Sequence, residues 1–151
     1  MFTCQKTYAD VPFAHRQHMH EGHCAFIHGH NWSFTFVFGC RELDECGFVL
    51  DFGKLKGIKR WIDDNLDHAC LFNEDDPMRE RFMEMKDELG RPVFKSYVLD
   101  RCSSEGLAKH LYDVATPIVR DQTEGRAFIV SVNVTEDAKN SATYHAPALD
   151  A

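Results

Sequence analysis

Apolar side chains recur along the chain in two periods, and the switches between those periods mark out the elements. Alternation is strongest over residues 27–41. Trp32, Phe34, Phe36 and Phe38 share one face there, and Ser33, Thr35 and Val37 share the other, as in a half-buried strand. Ahead of it, residues 2–15 fit a strand, followed by a polar, His-rich loop around Gly22. Residues 42–47 supply a turn, and 47–50 close the hairpin. The period then lengthens. Asp51 reads as a helix N-cap before Leu55, Ile58, Ile62 and Leu66, with Trp61 beside them, and the helix should end near Asn65. After Pro77, MRERFMEMKDEL carries a thin apolar stripe among charges and stops at Gly90, which predicts a surface helix. PVFKSYVL (92–99) is extended. Ser103 or Ser104 caps a third helix, with Leu107, Leu111, Val114 and Ile118 on one side and Pro117 expected to kink or shorten its end. Phe128, Val130, Val132 and Val134 alternate in a strand reaching about Thr135. Asn140 marks a turn, and residues 141–145 form a last strand. The order ββ-α(α)α-ββ is an α+β pattern with an antiparallel sheet.

Composition narrows the class. A length of 151 residues without repeats or a low-complexity linker implies one domain, 1–151. Apolar residues at 44% and charged residues at 27% exclude a disordered chain. A net charge of −7 argues against nucleic acid or an anionic membrane as partner. No apolar run approaches the ~18 residues of a spanning helix, and the N-terminus lacks the basic-then-apolar layout of a secretory signal, so a cytoplasmic protein is expected. The six cysteines form no CxxC pair and in that compartment are expected as thiols, most of them buried.

The nine histidines change the picture, because His15, His18, His20, His23, His28 and His30 fall within sixteen residues. Such density predicts a metal site. In His28-Gly29-His30, residues two apart on a strand point to one face, so both imidazoles can converge on one ion. His15, ending the preceding strand, can supply a third nitrogen. Three His ligands with an open position make a catalytic zinc arrangement. Cys24, four residues before His28, fits a fourth ligand, a nucleophile or base activated by the nearby cation, or an inert buried thiol; spacing does not choose among these. In Asp67-His68 a carboxylate can orient the ring and raise its basicity, as for a general base. Ser103-Ser104-Glu105 is a helix cap with an acidic first turn, and Glu136, read alone, is a charge at a strand end.

Taken in order, PFAHR (12–16), CAFIHGHNW (24–32), GFVLDFGKLK (47–56), LDHACLFN (66–73), SSEGLAKHLYD (103–113) and VNVTED (132–137) resemble the 6-pyruvoyl-tetrahydropterin synthase family. The short C-x-x-x-H-G-H spacing is similar to the 6-carboxy-tetrahydropterin synthases of queuosine biosynthesis. The resemblance implies zinc on His15, His28 and His30. It implies Cys24 as the catalytic cysteine, Asp67 and His68 as the acid/base pair, and Glu136 as pterin anchor and member of the proton relay. Ser103 and Ser104 match hydroxyl residues near the pterin. The implied fold is the tunnelling fold, a four-stranded antiparallel sheet with helices on one face. Three subunits join their sheets into a barrel and two barrels stack into a hexamer, so that the His68 region of one chain lies by the zinc of another. One departure stands out: between Asn73 and Ser103 the family usually has a much shorter loop. The inserted segment, around 74–102, is expected to cover the site mouth or extend a subunit contact.

The implied reaction is a zinc-dependent lyase conversion of 7,8-dihydroneopterin triphosphate to 6-carboxy-5,6,7,8-tetrahydropterin, releasing acetaldehyde and triphosphate, with no organic cofactor. Arg16, Lys54 and Lys56 are the candidate triphosphate contacts on this acidic chain. The same residues would serve pyruvoyl-tetrahydropterin synthesis or cleavage of the dihydroneopterin side chain. A module that binds zinc and pterin without turnover is a further alternative, which the joint presence of Cys24, Asp67, His68 and Glu136 speaks against.

Overall fold

The computed structural model describes residues 1–147. Its elements are β1 (Phe2–His15), β2 (His28–Cys40), α1 (Lys56–Asn65), β3 (Ala69–Asn73), α2 (Arg79–Met83), β4 (Lys95–Leu99), α3 (Ser104–Gln122), β5 (Ala127–Thr135) and β6 (Ser141–His145). The six strands form one sheet in the order β4-β3-β1-β2-β5-β6. The pairs among β1, β2, β5 and β6 are antiparallel, as expected, whereas β3 runs parallel to β1 and β4 runs parallel to β3. The expected four-stranded antiparallel sheet is therefore corrected to a mixed, six-stranded one, within the α+β class. β3 lacks alternation because all five of its residues are buried, and a short run buried on both faces carries no period-two signal.

Two bulges set which face each side chain takes. Between Tyr8 and Val11, β1 uses one residue more than β2 does between Phe34 and Trp32. Asp10 takes φ 59° there. The buried positions of β1 consequently switch from Tyr8 to Val11, Phe13 and His15. In β5 the extra residue is Val130, since Val37 pairs Ser131 and Phe38 pairs Ile129. The expected single row Phe128, Val130, Val132, Val134 is thereby split: Ala127 and Ile129 are buried before the bulge, and Val132 and Val134 after it.

The core lies on the face carrying Trp32, Phe34, Phe36 and Phe38, all fully buried. Against it pack Leu55, Ile58, Ile62 and Leu66 around α1, and Leu107, Leu111, Ala115 and Val119 of α3. Val114 and Ile118, expected on the inner stripe, are only half-buried at its margin. Asp51 accepts from the Gly53 amide and opens a single 3-10 turn before α1. Ser103 caps α3 through the Gly106 amide, and the helix continues past Pro117 to Gln122 rather than shortening. The opposite face of the sheet is polar, with Thr7 bonded to Thr35 and Asn133 to Thr143.

Two further expectations are corrected. Residues 47–50 do not close a hairpin: the Asp44 carboxylate accepts from the Cys46 and Phe48 amides, and Val49 and Leu50 bury in the core instead. The surface helix of 78–89 shrinks to the five residues of α2. The Asp87 carboxylate accepts from the Leu89 and Arg91 amides and so holds a turn that competes with helix. Phe82 of α2 stacks on Phe72 of β3 at 5.6 Å. The segment 74–102 thus extends the sheet by an edge strand.

Candidate metal centre and active site

The aromatic row of β2 runs out in imidazole. His28 and His30 continue the face of Trp32 and Phe34, and the β1 bulge brings His15 onto that same face opposite His28. Trp32 lies under the cluster, its ring edge-on to His15 at 4.9 Å and to His30 at 5.1 Å. Glu136 follows β5 with the parity of Val132 and Val134. One ligand atom from each of His15, His28, His30 and Glu136 lies within 4.8 Å of the others.

Hydrogen bonds fix what those atoms offer. His15 Nδ1 is 2.7 Å from the Cys102 carbonyl, and His28 Nδ1 is 2.7 Å from the Phe26 carbonyl. A carbonyl only accepts, so each Nδ1 carries a proton and Nε2 is the ring nitrogen turned toward the cluster. Those two Nε2 atoms face one another at 3.1 Å. Burial pushes the His15 pKa below its ordinary value, outweighing the Cys102 carbonyl, which favours the charged ring. His15 is therefore held neutral, and its Nε2 turns a lone pair toward His28 Nε2, an arrangement that a shared cation would suit. Glu136 Oε1 stands 2.9 Å from His30 Nε2. The approach is off-line, however, and His30 Nε2 remains one of two buried polar side-chain atoms without a hydrogen bond among the described residues. The other Glu136 oxygen accepts from Ser104 Oγ at 2.9 Å. Three imidazole nitrogens and a carboxylate of this kind suit a borderline divalent ion such as zinc.

Beside the cluster opens a cavity of about 330 Å³, lined by Cys24, Gln17, Ser103, Ser104, Glu136 and Lys139 among others. A planar, polar molecule with a short side chain could lie there with its side chain against the imidazoles and Cys24.

The model of the 6-pyruvoyl tetrahydropterin synthase family matches residues 5–147. The chain belongs to that family. It is accordingly a lyase-type enzyme. A Rickettsia felis protein named 6-carboxy-5,6,7,8-tetrahydropterin synthase is 31% identical over 104 residues, 68% of this chain and 72% of that one. An Aquifex aeolicus protein of the same name is 26% identical over 123 residues, 80% and 75% of the two chains. Among solved structures, an uncharacterized Wolinella succinogenes protein superposes with a TM-score of 0.77 at 23% identity, covering 95% of this chain and 97% of the other. The 6-pyruvoyl tetrahydropterin synthase of Plasmodium falciparum gives 0.68 at 18% identity, covering 95% and 98%.

In this pyruvoyl-tetrahydropterin synthase family member, the fold brings His15, His28, His30, Cys24, Ser103, Ser104 and Glu136 around one cavity or cluster. Asp67 and His68 are not among them. His68 sits after α1 with φ 60°, its amide bonded to the Pro12 carbonyl and its side chain 78% exposed. Its Nδ1 is 2.9 Å from Asp67 Oδ1. His18, His20 and His23 lie outside the cluster; His18 contacts Asn73 and Asp75. Of the candidate triphosphate contacts, Arg16 is engaged by Asp76 at 2.6 and 2.9 Å, and neither Lys54 nor Lys56 lines the cavity. Nor does any residue of 74–102, and that segment therefore does not cover this site mouth, one of the two places expected for it. Gln17, Glu105, Lys139, Asn140 and Ser141 line it instead. Nothing in hydrophobic periodicity marks them, since they sit in loops, in the first turn of α3 and at the exposed start of β6.

Proposed function

We propose that the protein is a zinc-dependent 6-carboxy-5,6,7,8-tetrahydropterin synthase acting on 7,8-dihydroneopterin triphosphate in the cytoplasm. The observation that carries the zinc reading is the convergence of His15, His28, His30 and Glu136 within 4.8 Å, with His15 Nε2 and His28 Nε2 facing each other at 3.1 Å and each Nδ1 held by a carbonyl. The names of the Rickettsia and Aquifex relatives support the substrate and product. Bound at His15, His28 and His30, zinc supplies a Lewis acid for the side-chain oxygens of the substrate.

The chain's own residues divide the remaining work. Glu136 offers two carboxylate oxygens to the forked N–H donors of the pterin, and the Ser104 hydroxyl orients it. Ser103 and Ser104 flank the ring. Cys24, beside the imidazoles, takes and returns protons on the hydroxyl-bearing carbons. His68 carries its proton on Nδ1, toward Asp67, and so presents Nε2 outward as a base. A residue in the left-handed region that is also exposed carries strain of about 1–3 kcal/mol, a cost associated with functional positions. Its role requires a second subunit, whose cavity it enters. Among the described residues, edge strands β4 and β6 each have one unpaired side, and their pairing between copies would build a trimer that stacks into a hexamer.

The test is incubation of purified protein with 7,8-dihydroneopterin triphosphate and identification of products by mass spectrometry. The expected products are 6-carboxytetrahydropterin, acetaldehyde and triphosphate; 6-pyruvoyl-tetrahydropterin would instead assign the other activity of the family. Metal analysis should give one zinc per chain, lost in His28→Ala, and light scattering a mass near six chains. A monomer with full activity would exclude the shared site.

A further inference from the structure

The hydrogen bonds behind the imidazole cluster run deeper than the cluster itself. The carbonyl that holds His15 belongs to Cys102, a fully buried residue between β4 and the cap of α3. No strand or helix ladder fixes Cys102. Its amide donates instead to Asn73 Oδ1 at 2.7 Å, and its thiol donates to the Arg16 carbonyl at 3.3 Å. Asn73 ends β3, paired in the ladder with Leu99, and is only 3% exposed. It is the one polar residue of a strand otherwise made of Ala69, Cys70, Leu71 and Phe72. An apolar residue would meet the demand of burial more cheaply, and a buried amide persists only where it is bonded. Its oxygen goes to Cys102, and its nitrogen stands 3.3 Å from His18 Nδ1.

We propose that Asn73 is a positioning residue for the metal centre. It pins the Cys102 amide, which fixes the direction of the Cys102 carbonyl, and that carbonyl sets the tautomer and tilt of His15. The inference rests on the zinc reading above. Without Asn73 the Cys102 amide is buried and unbonded, so the segment before α3 must shift toward another acceptor. The carbonyl moves with it, and the His15 ring loses its aim. Direct partners of metal-bound histidines change affinity by 10–100-fold when removed. Asn73 acts one bond further out, so about tenfold is expected.

The experiment measures zinc affinity by chelator competition on the full chain. It compares the parent protein, His15→Ala, Asn73→Ala, Asn73→Asp and, as a packing control, Ile62→Val, which trims a buried α1 side chain on another element. Asn73→Ala should bind zinc about tenfold more weakly, with a shifted visible spectrum in the cobalt-substituted protein. Asn73→Asp keeps an oxygen acceptor for the Cys102 amide and should recover most of that loss. Ile62→Val should lower the unfolding midpoint and leave zinc affinity unchanged. Parent-like affinity in Asn73→Ala overturns the inference, as does an equal loss in Ile62→Val or no recovery in Asn73→Asp. Should Asn73→Ala not fold, Asn73→Ser replaces it under the same criteria. If His15→Ala binds zinc as the parent does, the zinc reading itself has failed, and that result is separate from any outcome at Asn73.

Discussion

Removing Asp76 should destabilise the protein by about 3 kcal/mol, the lower end of the range for breaking a buried ion pair from one side. Its carboxylate has no exposed side-chain surface and accepts three bonds: from Arg16 Nε at 2.6 Å, from Arg16 Nη2 at 2.9 Å and from the Met78 amide at 2.9 Å. Arg16 is 18% exposed and lies over the Phe82 ring at 5.6 Å. In Asp76→Ala its guanidinium can therefore turn partly to water, which sets the lower figure. Arg16→Ala leaves the carboxylate buried with only the Met78 amide and should cost about 4 kcal/mol. The double variant removes both charges and should cost about 2 kcal/mol less than the sum. Burial alone would push the Asp76 carboxyl up, but the Arg16 hydrogen bonds, the Met78 amide and the Arg16 charge together hold it below the usual range. A carboxyl lowered on folding contributes stability that is complete above its unfolded pKa of about 3.9 and is lost as pH falls through the folded value. The gap between parent and Asp76→Ala should thus narrow below about pH 4. Urea unfolding of the metal-free proteins at several pH values reads all of this. Additive costs within about 0.5 kcal/mol would refute the pair as an interacting unit.

Three other outcomes are expected. Cys24→Ala should abolish turnover and retain zinc by metal analysis; loss of the metal would make the thiol a ligand. Glu136→Gln replaces one acceptor with a donor, so calorimetry with a non-reactive pterin should show binding weaker by about 2–3 kcal/mol. Equal affinity would leave Glu136 a cluster partner only. Gly106→Ala would put a Cβ 2.3 Å from the Arg101 carbonyl oxygen and 2.5 Å from its Cβ, a backbone collision costing about 3 kcal/mol, or roughly 6–12 °C of melting temperature. An unchanged melting curve would contradict this start of α3.

The parts of the fold legible in the sequence were those with one buried face. The period-two row from Trp32 to Phe38 and the 3.6-residue row from Leu55 to Leu66 each meet solvent on one side, so polarity records their geometry. β3 is buried throughout and left no such record, and β4 was legible only as an extended run. The β5 bulge was invisible because Val130 is as apolar as its neighbours; a half-exposed valine looks like a core valine. For the metal cluster, the HxH spacing needed only strand parity, which β2 keeps without a break. Placing His15 needed more, since its parity with Tyr8 is wrong until Asp10 is counted as an extra residue. The Cys102 and Asn73 contacts arise from tertiary closure between segments far apart in sequence, and no local pattern encodes them.

The bulge in β1 also governs which lengths of that strand evolution or an engineer can use. Between Val11 and His15 every residue counts toward the register that aims His15, so a single deletion there would turn the imidazole to the polar face and silence the centre without disturbing a single ligand identity. At Ala9 and Asp10 the strand already absorbs one surplus residue. Losing that residue would leave Tyr8, Val11, Phe13 and His15 in unbroken alternation against β2, so the imidazole would keep its face. A length change in this strand should therefore be tolerated at residues 9–10 and not between Val11 and His15, a position-dependent pattern of indels that substitution-based comparison of relatives would overlook.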